Sequence, residues 1–202
     1  MHGAHARRRT RAAGGVTLAA AFALTAAPAA VAQVSLPEPA AALPALPALP
    51  ASPSGCDGVT ARPGAAAPAA LSAALMCAIN VERAKQGLPA LPADPRVATA
   101  ASRHARDMVR RRYFAHQRAG GPSLAGRLRR AGWSGRSAGE AIAYGCGTSA
   151  TPLATLRMWL NSPPHRAILL DRGWSAAGVG VSRRAPVTRC RGGGTWVLDA
   201  TG

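Results

Sequence analysis

The sequence predicts an α+β domain in which helices cover an antiparallel sheet, placed behind a leader and a spacer. Three observations carry this prediction. Long segments repeat apolar residues at helical spacing behind proline start signals, short segments alternate at period two, and the order is helices, a strand, helices, then a terminal hairpin. Of the 202 residues, those left after the leader and spacer suit one domain with a modest core.

The first helix is expected from about Pro68 to Gln86. Leu71, Leu75, Ala78 and Ile79 share one face, and Gly87 and Pro89 stop it. A second opens with Asp94 as N-cap and Pro95 in its first turn; Val97, Ala101, His104, Ala105 and Met108 recur on one side, so His104 is read as an inward, satisfied core histidine. A loop carrying Tyr113, Phe114 and His116 leads to a short helix capped by Ser123 and closed by Gly132. Gly139 to Tyr144 reads as a strand. Thr151 and Pro152 open a helix with the stripe Leu153, Leu156, Trp159 and Leu160, and Ser162 with Pro163 repeats that start signal, placing His165 in a first turn. Val179 and Val181 alternating with glycine, then Trp196 and Leu198 after the turn at Gly192, Gly193 and Gly194, complete the hairpin.

Residues 1–32 have the form of a secretory signal: Arg7, Arg8, Arg9 and Arg11, an apolar stretch, and small residues at Ala30 and Ala32, so cleavage is expected after Ala32 and the protein outside the cytoplasmic membrane. Gly14, Gly15, Thr17 and Thr25 dilute the stretch as a spanning helix. Residues 33–55 repeat Leu-Pro-Ala and read as a semi-rigid spacer before a domain at 56–202. Of the 25 basic residues four lie in the leader, which leaves 21 against 8 acidic ones. That excess favours anionic partners such as envelope polymers or lipid head groups. The densest runs, Arg110 to Arg112 and Arg127, Arg129 and Arg130, read as solvated helix ends, and aromatic content of 4% argues against specific nucleic-acid binding. Four cysteines in an exported chain imply two disulfides, with three pairings open.

Beyond the leader the only histidines are His104, His116 and His165, and the last two flank Glu140 in sequence. Two imidazoles and a carboxylate can hold a divalent cation with one position left for water or substrate, and can equally share a proton network. Ser162, three residues before His165, invites a nucleophile-and-base pairing with Glu140 as orienter, but Ser before Pro is also an N-cap signature and no G-x-S-x-G elbow is present. Nucleotide-binding fingerprints are absent.

INVERAKQGLPAL at 79–91, ASRHARDM at 101–108, YFAH at 113–116, GEAIAYG at 139–145, MWLNSPPHRAIL at 158–169, GVGV at 178–181 and TWVLD at 195–199 together resemble the CAP superfamily of cysteine-rich secretory, antigen 5 and pathogenesis-related proteins. The resemblance spans roughly Leu71 to Gly202 and implies a three-layer α-β-α sandwich. It implies a cleft lined by His116, Glu140 and His165, while Ser162 stands near the place of the family's fourth, acidic residue. At most a weak cation site on His116, Glu140 and His165 is then expected, zinc being the candidate ion, with no cofactor required. Ala141, Pro164 and Ala200 also depart from the family pattern. The expected disulfides are Cys56–Cys77, joining the pre-helix segment to the first helix, and Cys146–Cys190, tying the Glu140 strand to the turn before the Trp196 strand. The family's functions range from lipid binding to interaction to proposed hydrolysis. The expectation here is a monomeric, non-catalytic binding module for an anionic envelope polymer or lipid, the alternative a metal-assisted hydrolase using His116, Glu140 and His165.

Overall fold

A computed structural model describes residues 55–202; the cleavage site after Ala32 and spacer residues 33–54 lie outside the described residues. The elements are α1 (Pro68–Lys85), α2 (Pro95–Arg111), α3 (Leu124–Arg130), β1 (Ala138–Gly145), a 3-10 turn (Gly147–Ala150), α4 (Pro152–Leu160), α5 (Pro163–Leu169), β2 (Ala176–Ser182) and β3 (Gly194–Thr201). The start signals act as their chemistry requires in α2, α3 and α4. The Asp94 carboxylate accepts from the Arg96 and Val97 amides, Ser123 from Gly126 and Thr151 from Ala154, each satisfying donors that a helix start leaves open. Gly87 and Gly132 take φ of +64° and +87° just past α1 and α3, a conformation that glycine adopts without a Cβ clash.

The three strands form one antiparallel sheet in the order β1-β3-β2. Helices lie on both faces, giving the α-β-α sandwich. On one face α1, α4 and α5 enclose the larger core, in which Leu71, Leu75, Ile79, Leu156 and Trp159 meet Ala141, Val179, Trp196 and Leu198. On the other, Ala101, Ala105 and Met108 of α2 cover Ile142 and Val197, and Leu128 of α3 packs on Val97 and Ala100. The family departures Ala141 and Ala200 are fully buried in the larger core. Central strand β3 is buried along its whole length.

Gly178 and Gly180 are more than alternation partners for the valines. A Cβ on either would sit 2.1 Å from a backbone nitrogen of α2, Ala98 and Ser102 respectively, so α2 rests directly on β2. Both buried indoles are paired: the N–H of Trp159 donates to the Ile142 carbonyl at 3.1 Å and that of Trp196 to the Ala150 carbonyl at 3.0 Å. The buried Arg83 guanidinium donates to the carbonyls of Pro89, Leu169 and Asp171, clamping α1 to the end of α5. Both disulfides form as expected, Cys56–Cys77 and Cys146–Cys190, with Cα separations of 5.7 and 5.3 Å. Among the described residues, no helix is long and apolar enough to cross a membrane.

Candidate functional site

Glu140 lies in β1 directly opposite Asp199 of β3, and both are buried. Strand alternation turns Glu140 to the α2 side of the sheet, since its neighbour Ala141 belongs to the opposite core. Three cations or potential cations converge on its carboxylate. His116, from the α2–α3 loop, places Nδ1 2.8 Å from Oε1. Arg127 of α3 donates to Oε2, and His104 of α2 places Nε2 3.7 Å from the same oxygen. Arg127 also donates to the carbonyls of His116 and Pro122, at 2.8 and 3.3 Å, and so fixes the loop that presents His116.

Burial acts to raise the Glu140 pKa, but the His116 hydrogen bond and the charges of Arg127, His104 and His116 outweigh it and hold the carboxyl below its ordinary range. Glu140 is therefore ionised at neutral pH. Asp199 behaves oppositely: burial first, and the facing Glu140 charge second, push its pKa well above its ordinary value. The two facing carboxyl groups are thus driven in opposite directions, as expected where like charges share a dry site. The hydrogen bond to Glu140 raises the His116 pKa. Burial lowers that of His104 in spite of the Glu140 charge.

His165 is held elsewhere. Its Nδ1 lies 2.8 Å from the Ser162 hydroxyl, and burial, followed by the charge of His116, lowers its pKa. Among the described residues the partners of Glu140 are His116, Arg127 and His104, not His165. The N-cap reading of Ser162 needs correction. The residue occupies the N-cap position of α5, but its side chain makes no capping bond because the hydroxyl is committed to His165.

The three-residue cation site raised from sequence does not fit this arrangement. Both Glu140 oxygens are engaged, one by His116 and the other by the Arg127 guanidinium, whose positive charge opposes a cation there. Among the described residues no group of three or more His, Cys, Asp or Glu is placed to hold a metal ion.

Sequence reasoning misses Arg127 and Asp199 and understates His104. Arg127 reads with Arg129 and Arg130 as solvated, yet it is only 8% exposed. Leu124, Arg127, Leu128 and Ala131 fall at i, i+3, i+4 and i+7, so the apolar face of α3 carries the signal. His104 is buried as expected, but facing a carboxylate and within 3.5 Å of the Tyr113 hydroxyl it belongs to the polar cluster and not to an apolar core.

The α-β-α sandwich is a class of domain shared with known proteins. A sequence model of the cysteine-rich secretory protein family, CAP, matches residues 76–199, and the chain belongs to that family. It is 38% identical over 105 residues to the uncharacterized membrane protein YlbC of Bacillus subtilis, covering 52% of this chain and 30% of YlbC. It is 36% identical over 101 residues to the uncharacterized protein YkwD of the same organism, covering 50% of this chain and 38% of YkwD. The match thus spans well under half of either relative. Among solved structures, an extracellular SCP-domain protein of Bacillus anthracis superposes with a TM-score of 0.55 at 28% identity, over 66% of this chain and 41% of that one. An outer surface protein of Borrelia burgdorferi superposes at 0.53 with 21% identity, over 63% and 88%, a likeness of fold alone.

Proposed function

We propose that the protein is an extracytoplasmic binding module, non-catalytic, with a ligand cleft floored by His116, Glu140, His165 and Ser162. One observation carries the reading: the Glu140 carboxylate is neutralised and held at both oxygens by His116 and Arg127, apart from the Ser162–His165 pair. A carboxylate so engaged is a poor general base and a poor metal ligand, but it gives the cleft a fixed polar floor. Two disulfides suit an oxidising compartment, as do the extracellular and outer-surface descriptions of structurally similar proteins. Removal of the leader after Ala32, a monomeric state, and an envelope lipid or anionic polymer as ligand complete the reading.

The Ser162–His165 bond of 2.8 Å favours a hydrolytic alternative, because a hydroxyl on an imidazole is how a serine nucleophile is activated. Titrating phosphatidylglycerol vesicles into the purified protein while following the imidazole resonances separates the two. The module predicts saturable shifts of His116 and His165 without turnover. Ester or peptide hydrolysis lost in a folded Ser162→Ala or Glu140→Gln variant would replace it with the hydrolase.

A further inference from the structure

The side of α2 that faces α3 and the 113–122 loop borders a cavity of about 530 Å³, which reaches in to His104 and Arg127 of the Glu140 cluster. Its lining is unusual in charge. Arg103, Arg106, Arg110, Arg111, Arg118 and Arg130 border it together with the Glu140-bound Arg127, and Asp107 is the single acid. Asp107 is already shared between Arg110 and Arg111, at 2.9 Å to each. Among the described residues Arg103, Arg106 and Arg130 have no ion pair. The Nε atoms of Arg118 and Arg127 are buried without a hydrogen-bond partner among the described residues. Such an arrangement concentrates positive charge that the protein itself leaves uncompensated.

The band continues past the first cavity. Arg110 also borders a second concavity of about 610 Å³, which adds Arg112 from the end of α2 and Arg183 and Arg184 from the β2–β3 connection. Thr188 and Cys190 then join this to a third, flanked by Arg189 and Arg191 beside the Cys146–Cys190 disulfide. Along α2, Arg103, Arg106 and Arg110 fall at i, i+3 and i+7, so their stems leave one helix face at intervals of about one 5 Å turn.

We infer that this arginine band binds a flexible linear phosphate polymer, a chain of phosphodiesters or phosphoanhydrides carrying one negative charge per unit. Guanidinium groups match phosphate oxygens bidentately and stay charged at every physiological pH, and a row of them rewards a repeating anion over a single one. The concavity of three successive hollows suits a chain that bends into them and not a flat bilayer surface. Tyr113 is the one Phe, Tyr or Trp side chain lining them, so there is no row of aromatic faces on which successive bases could stack. The inference goes beyond the cleft ligand of the binding-module reading and adds a polymer site on a surface apart from the Ser162–His165 pair. It stands even if that pair proves hydrolytic.

The test uses the full mature chain with inorganic polyphosphate, poly(glycerol phosphate), orthophosphate, single-stranded DNA of matched charge and phosphatidylglycerol vesicles as separate probes. Binding to either polymer is expected, weakening steeply with salt as counterion release requires, with orthophosphate at least about tenfold weaker. Whether polyphosphate or poly(glycerol phosphate) binds more tightly distinguishes a free polymer from an envelope one within the same chemistry. The triple variant R103Q/R106Q/R130Q, whose side chains are exposed and unpaired, is expected to lose about tenfold or more in affinity with an unchanged melting temperature. The charge-matched variant R62Q/R136Q/R172Q, exposed and outside the band, is expected to lose less than about threefold. Equal losses in the two triples would reduce the band to net charge and overturn the inference. So would tighter binding of DNA or binding to vesicles alone.

Discussion

A single carboxylate organises the polar interior. Glu140 is buried and ionised because His116 and Arg127 meet its two oxygens, and His116 is in turn raised in pKa by that hydrogen bond. The sign of the pH dependence follows from linkage. A histidine whose folded pKa lies above its unfolded value of 6.5 contributes stability that is complete below that value and is lost as pH rises through the folded one. Glu140 contributes in the other sense, fully above its unfolded 4.5 and lost as pH falls through its lowered value. Between these limits the pair is at full strength. His116→Gln is therefore expected to lower the melting temperature at about pH 5.5 and to converge on the parent protein in alkaline solution. Melting curves across that range check it, and a gap that widened with pH would contradict the assignment. His116, Glu140 and His165 are legible through their motifs. Arg127 and Asp199 are not, because an arginine within a run of arginines reads as solvent-facing and a terminal-strand aspartate gives no local sign of the carboxylate it will face.

Elements are the most legible scale, since proline at the first helical turn or a side-chain cap before it marks α2, α3 and α4 independently of packing. The same signal misleads at α5. Ser162 sits where a cap should be, yet a histidine one turn on competes for its hydroxyl, and an i, i+3 side-chain pair cannot be told from a cap by spacing alone. Likewise the Gly-Val-Gly-Val stretch is readable as a strand, but not as the place where a helix lies against bare backbone, because that demand comes from a segment far earlier in the chain. Gly180→Ala tests the contact. Its Cβ would meet the Ser102 backbone nitrogen at 2.1 Å, so α2 must lift, at a cost of about 3 kcal/mol. Gly64→Ala, with nothing within 4 Å, is the control and should leave the denaturation midpoint within error.

For the molecule as a whole, the two disulfides secure the regions that the sheet does not. Cys56–Cys77 closes a separation of 21 residues and Cys146–Cys190 one of 44, worth about 3 and 4 kcal/mol in the chain-entropy treatment. Cys146→Ser with Cys190→Ser is expected to cost more stability than the corresponding change at Cys56 and Cys77. Denaturant unfolding of both double variants decides, and the reverse order would show that local packing outweighs loop length. The strand order has a bearing on when the domain can form at all. Among the described residues β1 pairs with β3 alone, and β2 with β3 apart from a bridge of Ala177 to Ala93, so residues 138–145 and 176–182 cannot form the sheet until 194–201 lie between them. A nascent chain lacking that last segment can wind helices but cannot assemble a sheet or face Glu140 with Asp199. Truncation anywhere before residue 194 therefore removes the whole sheet and not one strand of it.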